Sequence, residues 1–256
     1  MQSTNKWFPF AHNRDGRKHK QVFCFHYAGG SSVIFKQWAA ASRPVEFIPV
    51  ELPGRGSRSA EVCLENFDQL TEQLLTGLLP AIDNHPFYFF GHSMGAVIAF
   101  EVAWHLQNRY RIHPEKLIVA GRHAPHQPDP SIFKSYMNDE ALIRELKRLN
   151  GTPQAILENK EILGFLLPMI RSDYKLHESY RYRGQKLNKI PVVAHAGKHD
   201  HEANAVLMQH WREATDGDFA LKEFDGNHFF VQKLGEEYLA ELIREILQTD
   251  YDERGA

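Results

Sequence analysis

Residues 87–95 read FYFFGHSMG: four apolar side chains in a row, then a serine with Gly91 two positions before it and Gly95 two positions after. A serine hydroxyl is ordinarily a poor nucleophile; it reacts when a base takes its proton and an acid orients that base. The spacing G-x-S-x-G, after a buried strand and ahead of an unbroken helix, prepares such a serine. At a sharp strand-to-helix turn the serine is forced into a strained conformation, and only small flanking residues let the turn close. Ser93 then stands above the edge of a sheet. The following helix points free N–H groups and the positive end of its dipole at whatever reacts there.

The base must come from elsewhere, and fifteen histidines are available. Position selects His228, in the turn FDGNHFF after the last strand candidate. The acid should also follow a strand, and PVVAHAGKHD places Asp200 just beyond one; Asp129, after the strand at 116–121, is the reserve. The chain order Ser93, Asp200, His228 is that of the α/β hydrolases. Asp200 would hold the Nδ1 proton of His228 and leave Nε2 to face Ser93. His92 adjoins the serine, but its side chain leaves the turn in another direction. One N–H for the developing oxyanion belongs to Met94; a second should lie in HYAGGSS (26–32), where Ala28, Gly29 and Gly30 let backbone approach a substrate closely. His199 and His201 flank Asp200 without a fourth ligand at metal-binding spacing, so no metal site is read there.

These residues need elements that carry them to one edge. QVFCFHY (21–27), VEFIPVEL (45–52), PFYFFG (86–91), KLIVAG (116–121), PVVAHAG (191–197) and FALKEF (219–224) read as strands. Their near-continuous apolar character suits strands buried on both faces of a parallel sheet. Segments 66–80, 94–109, 202–213 and 235–248 have helical spacing. Strand alternating with helix predicts a mostly parallel, doubly wound α/β sheet. From 125 to 189 there is helical pattern only, too long for a connection, and it reads as a helical lid inserted into one domain of residues 1–256. Within it Pro168 should interrupt and bend a helix, and Phe165, Leu166, Leu167, Met169 and Ile170 read as chamber or lid packing.

Composition narrows the partners. Lys and Arg number 30 against 32 Asp and Glu, a formal charge of −2, which gives no reason to expect nucleic acid or a membrane surface. The first residues lack a secretory apolar core, no stretch is long enough to span a membrane, and Cys24 and Cys63 read as reduced thiols of a cytoplasmic protein. The RKHK run at 17–20 reads as a solvated charge cluster.

Placed together, FCFHYAGGSS, VELPGRGSR, FFGHSMGAVIAFEVA, VAGRHAP, LNGTPQAIL, LLPMIRSDYKLHESY, AGKHD and FDGNHFF resemble, in order and spacing, the type II thioesterases. These are free-standing α/β hydrolases that accompany nonribosomal peptide and polyketide synthases. The resemblance covers nearly the whole chain. It implies Ser93 as nucleophile, Asp200 as acid, His228 as base, and the N–H groups of Ala28 and Met94 as oxyanion donors. It implies hydrolysis of acyl thioesters on the phosphopantetheine arm of carrier proteins, with no cofactor, under a lid that covers an acyl chamber; a monomer is the default expectation. His26 stands where many relatives carry proline, and Asn227 where glycine precedes the base. Because carrier proteins are acidic, a basic rim is expected, with Arg55, Arg58, Arg122 and Arg171 as candidates. The competing readings are a medium-chain acyl-CoA thioesterase or small-ester carboxylesterase, an acyltransferase, and a binding protein that kept the fold.

Overall fold

Every strand expected from the sequence forms, and all lie side by side. The computed structural model describes residues 5–10, 20–40, 44–82 and 86–248; Arg17–His19 of the basic run fall outside them. The strands are β1 (Lys20–Phe25), β2 (Val45–Pro49), β3 (Phe87–His92), β4 (Lys116–Ala120), β5 (Val192–Gly197) and β6 (Phe219–Phe224). They make one sheet in the order β2-β1-β3-β4-β5-β6, and each neighbouring pair is parallel. The helices are α1 (Lys36–Ala40), α2 (Phe67–Leu78), α3 (Met94–His105), α4 (Asp139–Leu149), α5 (Gln154–Leu157), α6 (Lys160–Ser179), α7 (Ala205–Met208), α8 (Phe230–Leu234) and α9 (Glu236–Leu247).

Successive residues of a strand face opposite sides of the sheet, and here both sides are buried. Phe23, Phe25, Phe87 and Phe89 pack into one layer with α2 and α3. Val22, Cys24, Tyr88 and Phe90 pack into the other with Trp38 of α1 and Tyr238, Leu239, Leu242 and Ile246 of α9. That double burial is why the strands read as unbroken apolar runs. Parallel strands bring their C-terminal ends to one edge, so the loops after β1, β3, β5 and β6 meet there.

Two expected helices are shorter than their patterns. After α3 the chain widens into a π turn (Leu106–Tyr110), stopped by Arg111 in the left-handed region at φ 60°. At 202–213 only α7 is α-helical, followed by a 3-10 segment (Gln209–Ala214). Its start is delayed because Asp200 Oδ1 accepts the Glu202 N–H at 2.9 Å and holds a turn, leaving Asn204 as the cap.

Between 125 and 189 the described chain has no strand paired into the sheet. It carries α4, α5 and α6 around a small core of its own: Phe133, Leu142, Leu157, Leu163, Leu167 and Ile170. Pro168 does not interrupt α6, contrary to expectation; the helix runs on through it. Proline removes the bond to the carbonyl four residues back and crowds it. That residue is Gly164, around which a Cβ would meet nothing within 4 Å. Phe165, expected as packing, is instead 83% exposed. Among the described residues no helix is long and apolar enough to cross a membrane.

Candidate active site

The turn after β3 has the strain its sequence implies. Ser93 sits at φ 55° and ψ −119°, outside the conformations a side chain favours. A Cβ on Gly91 would lie 2.3 Å from the Gly95 carbonyl oxygen, and one on Gly95 would lie 2.2 Å from that of Phe25. Both neighbours are backbone, so neither glycine can be replaced without moving α3 off the sheet. The Ser93 N–H donates to Ala120 O at 2.8 Å and anchors the turn on β4.

Three side chains from separate loops meet above this edge. His228 Nε2 lies 2.9 Å from Ser93 Oγ, and His228 Nδ1 lies 2.9 Å from Asp200 Oδ2. A carboxylate only accepts, so Nδ1 carries the proton and Nε2 is left to take that of the serine. Asp200 and His228 are buried. Burial alone would raise the Asp200 pKa, but the hydrogen bond and charge of His228 and the Glu202 N–H outweigh it and hold the carboxyl below its ordinary value. Asp129, the reserve acid, is elsewhere: it pairs with Lys134 at 2.9 Å and stands 3.6 Å from His177.

His92 has a place that the sequence did not suggest. It is wholly buried, and its Nε2 reaches the backbone carbonyl of His228 at 2.8 Å. Since a carbonyl only accepts, Nε2 bears the proton, and the ring holds His228 from behind. Burial, helped by the charge of His228, pushes the His92 pKa down to about 3, so the ring stays neutral. The ring passes over Gly121, where a Cβ would come within 3.1 Å of Nε2.

A cavity of about 250 Å³ opens over Ser93. Ala28, Met94 and His228 line its floor; Leu146, Leu149, Ile156, Leu166 and Ile170 of the helical insertion line its roof. As the first residue of α3, Met94 has an N–H with no partner inside the helix. The Ala28 N–H meets no acceptor among the described residues.

The four arginines expected at a basic rim are not there as free charges. Arg55 and Arg58 are buried, Arg55 against Asp173 at 2.6 Å and Arg58 against Glu61 at 2.7 Å. Arg122 packs its Nη2 2.5 Å from His177 Nε2 inside the cavity wall. Arg171 lies on α6, bonded to Asp139 and to the Ser135 and Met137 carbonyls. Arg55, Arg122 and Arg171 read as exposed because their partners are far off in sequence; the Arg58 partner is only three positions on. His26 is buried with Nδ1 donating to Tyr27 O at 2.9 Å, and Asn227 accepts the Phe229 N–H at 3.0 Å, so both departures serve local turns. His199 and His201 are exposed, and among the described residues neither belongs to a group of three or more metal-ligating side chains. The trio with metal-ligand spacing among the described residues is His126, His210 and Glu213, whose ligand atoms lie within 4.8 Å of one another. None of these lines the Ser93 cavity.

The family model described as "Thioesterase domain" matches residues 20–248, most of the chain and every residue placed above. This chain belongs to the thioesterase domain family. The thioesterase is 39% identical over 233 residues to linear gramicidin dehydrogenase LgrE of Brevibacillus parabrevis, covering 89% of this chain and 88% of that one. It is 36% identical to thioesterase PikA5 of Streptomyces venezuelae, covering 90% and 82%. Among solved structures it superposes on the type II thioesterase BorB from the borrelidin biosynthetic cluster with a TM-score of 0.83, at 33% identity and 93% and 97% coverage. In this thioesterase the α/β-hydrolase fold expected from the elbow and the alternation of elements is the fold found.

Proposed function

We propose that this thioesterase hydrolyses acyl groups from the phosphopantetheine arm of acyl- or peptidyl-carrier proteins, as the free-standing editing enzymes of nonribosomal peptide and polyketide assembly do. The observation that carries the reading is the line Asp200–His228–Ser93, with both gaps at 2.9 Å, beneath an apolar roof of the helical insertion. The likeness to BorB, titled a type II thioesterase of a biosynthetic cluster, supports the choice of substrate class.

In this mechanism His228 Nε2 takes the Ser93 proton as Oγ attacks the thioester carbonyl. The oxygen that becomes negative is met by the N–H groups of Ala28 and Met94, each worth about 2.7–4 kcal/mol in the transition state. Collapse of the tetrahedral adduct breaks the C–S bond, and the imidazolium returns its proton to the departing thiolate. Water, deprotonated by His228, then attacks the acyl-enzyme and releases a carboxylic acid and free Ser93. The side chains complete this cycle without a cofactor; phosphopantetheine belongs to the substrate. Residues 125–189 act as the lid of a single domain, and the enzyme works as a cytoplasmic monomer.

The test is mass spectrometry of acylated carrier proteins, run beside acyl-CoA and a simple ester of the same chain. Deacylation of the carrier protein is expected to be fastest and to vanish in Ser93→Ala. Faster turnover of the ester counts against the reading. Equal rates on carrier protein and acyl-CoA would make the enzyme a general acyl thioesterase.

A further inference from the structure

Arg55 and Asp173 form a fork-to-fork pair, Nη1 to Oδ2 at 2.7 Å and Nη2 to Oδ1 at 2.6 Å, with both side chains at most 3% exposed. A buried ion pair is a poor investment in stability, because stripping water from two charges offsets most of their attraction. What the pair touches suggests another reason for it. Asp173 Oδ2 also accepts the Gly29 N–H at 2.7 Å, and Arg55 Nη1 also donates to the Gly30 carbonyl at 3.2 Å. Gly30 N–H closes back on Tyr27 O at 3.0 Å, making a turn with Ala28 inside it. Asp173 belongs to α6, one turn after Ile170, and that isoleucine lies where a Gly29 Cβ would fall, 2.8 Å from Cγ1. Gly29 has φ 79° and lies directly under the helix.

We propose that Arg55 and Asp173 are positioning residues: by holding the peptide groups that follow Ala28, they aim its N–H at the oxyanion and make that aim depend on α6 being seated. The inference rests on the reading of Ser93 and Ala28 given above. The face of α6 that bears Asp173 also presents Leu166, Ile170 and Tyr174 to the cavity. The helix that touches the acyl group is therefore the helix that completes the donor pair. Lifting α6 removes the acceptor from Gly29 and leaves Ser93 with Met94 alone.

Two double variants separate positioning from plain stability. Arg55→Met with Asp173→Leu removes both charges and the acceptor for Gly29. Arg55→Met with Asp173→Asn removes both charges but keeps a side-chain oxygen for that N–H. Each is assayed on an acyl thioester and with a fluorophosphonate probe, whose attack by Ser93 also develops charge on oxygen. The leucine form is expected to lose about 10- to 100-fold in kcat and in labelling rate, with KM within about twofold, because a donor is misplaced rather than deleted. The asparagine form should recover most of that loss. Equal rates in the two forms, with matching thermal midpoints, overturn the proposal. Arg55→Lys, which keeps the charge but not the fork, gives a second reading if a double variant fails to fold: kcat should drop with KM steady, and an unchanged kcat counts against the proposal. A wild type that does not label removes Ser93 as nucleophile and this inference with it. A wild type that labels but ignores acyl-carrier protein sinks only the substrate assignment.

Discussion

At the scale of single residues, Ser93 is held by what surrounds it rather than by its own preference. Its backbone, at φ 55° and ψ −119°, persists because Gly91 and Gly95 leave room and Ala120 O pins its N–H. His228 is gripped from two sides, by Asp200 at Nδ1 and by His92 at its carbonyl, so its ring has one orientation to offer the serine. Asp200 makes that orientation depend on charge as well as shape. Asp200→Asn should fold normally yet lose about 10,000-fold in kcat, because an amide no longer selects the Nδ1–H tautomer. Steady-state rates on any acyl thioester test this, and a loss under tenfold would remove Asp200 from its role.

At the scale of elements, the β3–α3 elbow works because the helix can lie against β1 with no side chain between. Gly95→Ala puts a methyl 2.2 Å from a β1 carbonyl, and backbone cannot swing aside as a side chain can. We expect it to cost about 1–3 kcal/mol in urea unfolding and most of the activity, since α3 carries Met94. Gly164→Ala is the counterpart: its Cβ meets nothing, and the change should stabilise α6 by about 0.4–1 kcal/mol. The contrast marks what a sequence can reveal. Strand periodicity and the elbow are local patterns, so they were legible in stretches such as FYFFGHSMG. Ser93 and His228 are 135 positions apart, and only the rule of chain order for this fold let them be matched. Arg55 and Asp173, 118 positions apart, obey no such rule, and their segments were noticed without their bond. The same blindness puts Arg55, Arg122 and Arg171 on an open rim, whereas the Arg58 partner, Glu61, is only three positions on. His92 does leave the turn in another direction, as expected, but its hold on His228 is hidden for a different reason: its partner is a carbonyl, and a backbone atom leaves no mark in sequence.

At the scale of the whole molecule, several histidines are folded into places where they must stay neutral. Burial, with the Arg55 charge beside it, pushes His26 down to about 4; burial and Arg122 do the same to His177; burial takes His92 and His195 to about 3. In the unfolded chain each protonates near pH 6.5. Between about pH 6.5 and 4 the unfolded state therefore binds protons that the folded state refuses, and stability falls as pH falls. Carboxylates held low, Asp200 among them, keep their contribution until roughly pH 4 and below, so they are silent in that window. Thermal midpoints measured from pH 7 to 5 should drop steadily, and a flat profile would mean these rings are not neutral. The relay from Asp200 to Ser93 is continuous in the fold itself, leaving no assembly step within it for the right substrate to trigger. A relay so permanently cocked makes no choice of its own among acyl groups, so choice falls to the apolar wall above it, where Leu166 and Ile170 of α6 line the cavity.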